Sequence, residues 1–405
     1  MPPSFRWRLL CWLVVLGGLA APGAAQDEEF FAPERLAPLP ADERAAWERY
    51  LERSRLRAAE DLAALDAELA ALGQEERTAA PKSRASLFRD DPDAAWFRGT
   101  EAHRIAEILL SFQTPAGGWS KNVDFRKRAR RPGESFHSGD GWSYIGTFDN
   151  DATTEEVRFL AKAYAAHGDG RFRDAFLRGL GYVLEAQFPN GCWPQVYPLQ
   201  GGYHDAATFN DEAIPNVLHL LRRVAAGEFG FVPEDLRGRA EAAMWRGVAC
   251  VLDAQVVVDG RLTVWGQQHD PITLEPTHAR PYEHASLTAG ESVDVAEFLM
   301  GIEDPSPRVV AAVHAAAAWF RAVALPDLEY QHPRLIARPG AGPVWARFYE
   351  IGTNRPLFSN RDGVILYDWH ALDGERRRGY GWFRNNPGEF LERYAAWAER
   401  HPPAP

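Results

Sequence analysis

Asp149-Asn150-Asp151 sets two carboxylates on one short turn, directly ahead of a helical pattern running from Val157 to Ala166. Hard oxygen donors so spaced suit Ca²⁺ or Mg²⁺. The residues that follow, Thr153, Thr154, Glu155 and Glu156, equally suit a helix N-terminus with a hydroxyl cap and an acidic first turn. Chemistry is favoured by the company this turn keeps. Polar and aromatic clusters recur in loops after helical patterns: Trp119-Ser120-Lys121-Asn122, Thr208-Phe209-Asn210-Asp211-Glu212, His269-Asp270, Arg280-Pro281-Tyr282-Glu283 and Arg347 to Arg361. Loops at helix ends can share one rim.

Tryptophan and tyrosine beside arginine, lysine and carboxylates suit an anionic carbohydrate. Aromatic faces stack on sugar rings, guanidinium forks hold uronate carboxylates, and Ca²⁺ can bridge acidic groups of sugar and protein. Each feature has a plainer reading. The tryptophans can fill a core, Glu350 and Asp362 can satisfy Arg347, Arg355 and Arg361, and His269 beside Asp270 can be structural. The basic run Arg126 to Arg131 can steer a polyanion or be a solvated loop.

The elements that must position these loops repeat. Gln113, Gln187 and Gln255 each end a helical pattern, 74 and 68 residues apart, and each precedes a loop leading to Trp119, Trp193 or Trp265. A period of that length holds two helices and two loops. With strand-like alternation scarce, the expected fold is all-α, an incomplete (α/α)₃ toroid whose helix-end loops form a cleft. Residues 41–73 read as one or two long helices, with Leu51, Leu62, Leu65, Leu69 and Leu72 at helical spacing.

The chain has 405 residues, 46% of them hydrophobic, enough for a large core. Arg6 and Arg8, the apolar run Leu9 to Ala20 and Gly23-Ala24-Ala25 read as a signal peptide over 1–25. A leader and N-terminal helical arm are expected over 26–93 and a catalytic domain over 94–400. Loss of two leader arginines takes the formal charge from −11 to −13, which argues against nucleic acid as the main partner. Cys192 and Cys250 would then be the remaining cysteines, either paired or as buried thiols. No CxxC pair offers a cysteine zinc site.

The segments GGWSKN (117–122), TFDNDATT (147–154), GCWPQVYP (191–198), TFNDEA (208–213), WGQQHDP (265–271), ARPYE (279–283) and RFYEIGTNRPLFSNRDGV (347–364) resemble polysaccharide lyase family 10, the pectate lyases. The resemblance spans about Ala94 to Trp382. It implies an (α/α)₃ toroid that cleaves α-1,4-polygalacturonate by Ca²⁺-dependent anti β-elimination, leaving 4,5-unsaturated oligogalacturonides. By position it makes Arg280 the Brønsted base at C5. Asp149 and Asp211, with Asp151, would hold Ca²⁺; Lys121, Arg347, Arg361 and Asn210 would bind substrate. A guanidinium has a pKa above about 12, so Arg280 can serve as a base only where neighbouring cations and burial favour loss of its charge. The expectation is a secreted, monomeric enzyme that is not held by a membrane once the signal is cut. Two other readings stay open: a glycoside hydrolase using Asp149 and Asp211 as acid and base, and a non-catalytic polyuronate-binding protein.

Overall fold

The computed structural model describes residues 30–88, 92–139 and 146–403. The expected signal peptide, 1–25, lies outside the described residues. Three antiparallel helix pairs carry the body: Thr154–His167 with Gly170–Ala186, Ala213–Ala225 with Glu234–Ala254, and Gly290–Met300 with Pro307–Val323. The helix Thr100–Phe112 precedes the first pair, and Asn386–Arg400 packs on the last. Helical spacing explains the faces. In Ala213–Ala225, Ile214, Val217, Leu218, Leu221 and Val224 all turn into the core.

The three glutamines make one contact three times over. Each side-chain Nε2 donates to two carbonyls at 2.8 to 3.0 Å. One lies in its own loop (Gly117, Gly191, Thr263) and one on the outer helix of the next repeat (Ala175, Ala243, Ala312). Each following tryptophan then reaches back. Trp119, Trp193 and Trp265 donate Nε1–H to the carbonyls of Leu109, Val183 and Val251 at 2.9, 2.8 and 2.7 Å. Trp345 does the same to Phe320 at 2.8 Å. All four rings are buried, so they are core and not sugar platforms.

The all-α expectation is corrected here. The chain is about 49% helix and about 11% strand. Short antiparallel pairings stitch one repeat to the next: Thr147 with Val196, Thr208 with Gln268 and Thr288 with Phe348. Each partner stands three residues beyond a loop tryptophan, Trp193, Trp265 or Trp345. Most strands are two residues long, too short for alternation to register in a sequence. Register comes from the anchored tryptophans instead.

Cys192 and Cys250 are joined in a disulfide that ties the loop after Gln187 to the helix Glu234–Ala254. The arm is a single helix, Ala41–Leu72, and it packs on the body. Trp47 and Tyr50 sit 5.3 Å from the Phe188 ring, the Tyr50 hydroxyl donates to the Ala186 carbonyl at 3.1 Å, and Arg57 forks onto Glu185. Part of the basic run is likewise structural: Arg128 pairs with Glu134 and Arg130 with Glu68 of the arm.

Two glycines of the Glu234–Ala254 helix make opposite demands. A Cβ on Gly247 would stand 2.6 Å from a Leu218 methyl and 2.7 Å from the Trp193 ring; one on Gly238 would meet nothing within 4 Å. Gly247→Ala is expected to cost about 1–3 kcal/mol through overpacking. Gly238→Ala should add about 0.5–1 kcal/mol from helix propensity. Urea unfolding of the two variants measures both, and equal signs would undo the packing argument.

Candidate active site

Two turns of the same shape build the floor. Phe148-Asp149-Asn150-Asp151 and Phe209-Asn210-Asp211-Glu212 each close a 3₁₀ turn, and the two turns pack together. The last two residues of each are left-handed, with φ of 54° and 64° at Asn150 and Asp151 and 49° and 61° at Asp211 and Glu212. Asn and Asp tolerate that conformation better than most side chains. Part of the acidic character of these motifs therefore answers the backbone. The third repeat brings Glu291, in the first turn of Gly290–Met300, beside the second turn.

Asp149 is buried and accepts from Gln195 Nε2 at 3.0 Å and from the Lys121 ammonium. Its carboxyl lies beside that of Asp211. Desolvation within the cleft, reinforced by Asp149, pushes the Asp211 carboxyl up to about 7. Asn210 donates to Asp211 at 2.9 Å and accepts from Arg347 at 2.8 Å; Arg347 also pairs with Glu291 at 2.6 Å. The structure thus brings Lys121, Asp149, Asp211, Asn210 and Arg347 together, Lys121 on Asp149 and Asn210 linking Asp211 to Arg347. Asp151 leaves it. Although on the same turn as Asp149, Asp151 binds Arg158 and Thr154.

Arg280 forks onto Glu283, with Nε donating at 2.6 Å and Nη2 to the other oxygen. Burial opposes the charge on Arg280, yet Glu283 outweighs burial and holds the guanidinium more firmly protonated than an ordinary arginine. This is the reverse of the cationic surroundings that the sequence argument called for. Cations and rings then alternate across the site. Arg361 lies 5.8 Å from the Tyr282 ring, Arg280 lies 5.0 Å from Tyr282 and 5.7 Å from Tyr380, and Arg347 lies 4.7 Å from Tyr380. Arg361 stands on the exposed rim with Glu375 at 3.1 Å. The Tyr380 hydroxyl donates to Glu283 at 2.6 Å. His204 faces Asp149, Lys121, Arg280 and Glu283, and burial takes its imidazole down to about 4, so it is neutral.

Comparison with known proteins decides the family. The pectic acid lyase family matches residues 113–391. The chain belongs to that family. A family 10 polysaccharide lyase from Cellvibrio cellulosa is 34% identical, with a TM-score of 0.66, over 79% of this chain and 99% of that one. A mutant of a family 10 polysaccharide lyase from Cellvibrio cellulosa, in complex with trigalaturonic acid, is 33% identical over 79% of this chain and 100% of that one, also at 0.66. No curated protein matches. This pectic acid lyase family member is accordingly a lyase acting on polysaccharides.

Sequence reasoning gave no role to Glu283, Tyr380, Glu291 or His204. Glu283 could have been paired with Arg280 from its three-residue spacing. Glu291 could have been found by laying Thr288-Ala289-Gly290-Glu291 on Thr208-Phe209-Asn210-Asp211. His204 and Tyr380 carry no such signal. His269 is structural: Nδ1–H donates to the Leu274 carbonyl at 2.7 Å, and Nε2 accepts from the Gly266 N–H at 2.9 Å. Asp270 pairs with Arg35.

In the helix Gly290–Met300, Asp294 is pushed up to about 8 by burial, then by Glu212, Glu291 and Glu297. A carboxyl raised in the folded state binds more protons than in the unfolded chain, so its contribution to stability falls as pH rises from about 4 to about 8. Asp294→Asn removes that loss. The variant is expected to differ least from the parent near pH 4 and to melt higher near pH 9; an identical pH profile would contradict the assignment.

Proposed function

We propose that this chain cleaves α-1,4-linked polygalacturonate by Ca²⁺-dependent anti β-elimination. What carries the reading is one observation: Arg280 and Asp149 act on the same buried imidazole, His204, and Asp149 is crowded against Asp211, within an arginine-lined cleft. A solved relative is in complex with trigalaturonic acid, whose carboxylates would match the arginines of the cleft. The family relationship extends that substrate class to this chain. The disulfide supports export to an oxidising compartment, with 94–400 as the catalytic domain.

The donor set suits a calcium ion only in part. Among the described residues no group of three or more His, Cys, Asp or Glu side chains could hold a metal. Asp149 and Asp211, forced together and sharing a proton's worth of repulsion, are the two that would hold it, while Asp151 is committed to Arg158. Two protein carboxylates fall well short of the six to eight oxygens that Ca²⁺ takes. Uronate carboxylates and water would complete the shell, so cation and substrate should bind together. When bound, the cation neutralises the sugar carboxylate and so acidifies the C5–H.

Lys121, Arg347 and Arg361 spread positive charge from the floor to the rim for successive uronate carboxylates, and Asn210 fixes Arg347. Arg280 would receive the C5 proton, the C5–H electron pair would form the 4,5 double bond, and the departing galacturonate oxygen would leave with the C4–O pair and take a proton from water. To accept a proton the guanidinium must first be neutral, and Glu283 resists that. Base catalysis by Arg280 therefore ties activity to high pH. The hydrolase reading is disfavoured by the Asp149–Asp211 contact, because acid and base of a glycosidase stand about 5–9.5 Å apart across the sugar.

Two outcomes test this. Arg280→Ala should abolish formation of unsaturated uronate, read by its ultraviolet absorbance, while a calorimetric affinity for trigalacturonate persists. Glu283→Gln should move the alkaline rise of kcat/KM to lower pH, since the charge that keeps Arg280 protonated is gone. Near-normal kcat in Arg280→Ala would sink the base assignment.

The cation has its own test. Asp149→Asn keeps an acceptor for Gln195 but removes a charge. It should lower kcat/KM by roughly 100-fold, the size of several kcal/mol of lost charge stabilisation. It should also lose the rise in melting temperature that Ca²⁺ plus trigalacturonate gives the parent. A retained rise would rule Asp149 out as a ligand.

A further inference from the structure

The arm helix Ala41–Leu72 lies outside the span matched by the family, yet it walls a groove of about 890 Å³ beside the catalytic cleft. One side of the groove is the arm and the turn before it, with Phe31, Leu51 and Arg55. The other side is the loop Leu199 to Asp205, with Tyr203 and His204. The volume is at the upper end of what a drug-sized ligand fills.

This groove continues the cleft through covalent and hydrogen-bonded connections. The His204 carbonyl accepts from the Gln195 N–H at 3.0 Å, and the Gln195 side chain donates to Asp149. The imidazole of His204 lines the groove and also lies within the field of Lys121 and Arg280. Tyr203 lies over His204 with ring centroids 3.8 Å apart. Those two rings therefore form the saddle between catalytic centre and groove.

The arm also fixes the loop's shape. Ser54 Oγ accepts from the Leu199 N–H at 2.8 Å. Asp205, buried under the loop, accepts from the N–H groups of Gln200 and Gly201 at 3.0 and 2.9 Å. Arg55 stands at the rim with its side chain 71% exposed, its Nε donating to the Leu51 carbonyl at 3.3 Å and Glu52 lying 3.8 Å away. Its neighbours Arg53 and Arg57 are both bound to Glu185. A phenol face, a half-buried phenylalanine and one extendable guanidinium are what a uronate chain needs from an outer subsite.

We propose that the arm and the loop Leu199 to Asp205 form an outer subsite for distal galacturonate units of the polymer that occupies the cleft. The proposal rests on the polygalacturonate reading of the cleft. It makes the arm a determinant of chain-length preference, with Arg55 taking a uronate carboxylate and Tyr203 a sugar face.

The test compares a galacturonate decamer with the trimer in the full-length protein, for the parent, Arg55→Glu and Tyr203→Ala. The ratio of kcat/KM on decamer to that on trimer should fall about fivefold in Arg55→Glu, the scale of one partly exposed ionic contact. It should fall in Tyr203→Ala as well. Arg55 is exposed, so Arg55→Glu leaves the fold in place even if Tyr203→Ala does not. An unchanged ratio in Arg55→Glu overturns the proposal. Calorimetry with the same two oligomers separates this from failure of the lyase reading. If the parent forms no unsaturated product, the reading of the cleft fails, and the decamer-to-trimer affinity ratio of Arg55→Glu still decides the groove.

Discussion

A glutamine carboxamide that donates both its N–H bonds to carbonyls of two different repeats is the constraint on which the rest depends. Gln187 Nε2 holds Gly191 in its own loop and Ala243 on the next outer helix, both at 2.8 Å. Two buried carbonyls are satisfied by one side chain, and each would cost on the order of 1–3 kcal/mol if left alone. The loop so pinned places Trp193 against Gly247, and the residues after Trp193 pair with the strand of the preceding repeat. That pairing carries Thr147 and hence the Asp149 turn. Position at the site is therefore set by packing between neighbouring repeats, with Arg246 holding the Gln187 carboxamide oxygen and Gln195 of the same loop donating to Asp149.

Charge at the centre works against stability. Asp211 pushed up to about 7 and Asp294 up to about 8 mark carboxyls that the fold crowds together at the expense of their ionised forms. Arg347 relieves part of this from a buried place, at 2.6 Å from Glu291 and 2.8 Å from Asn210. Buried ion pairs of this kind are seldom net stabilising. Their use is to hold groups in a fixed arrangement before the substrate arrives, which is where electrostatic catalysis gains most.

Much of the site was legible in the sequence, because its residues sit in long, distinctive motifs. Lys121, Asp149, Asn210, Asp211, Arg280 and Arg347 do come together. Asp151 did not join them: two residues along a left-handed turn is enough to reverse a side chain's direction, and no spacing rule announces that reversal. The helix pairs and the glutamine period were readable from apolar spacing. The ladders that make the chain other than all-α were not, since a two-residue strand fixed by a distant tryptophan has no pattern of its own. The arm's leucines were readable as a helix. Its real anchors, Trp47 and Tyr50 against Phe188, were not singled out, because their partner lies some 140 residues on in a loop.

The three site turns show how a repeat becomes an asymmetric site. Thr147, Thr208 and Thr288 hold equivalent pairings, and the residues after them occupy equivalent places. At the second position after the threonine stand Asp149, Asn210 and Gly290; at the third, Asn150, Asp211 and Glu291. A repeat with identical acids at all of these places would crowd like charges that repel one another. Instead acid, amide and glycine alternate. Asp149 and Asp211 then meet from different places in their turns, Glu291 is answered by Arg347, and Gly290 leaves room where a Cβ would stand 2.8 Å from Arg384. The symmetry of the scaffold sets the distances, and the departures from symmetry set the chemistry.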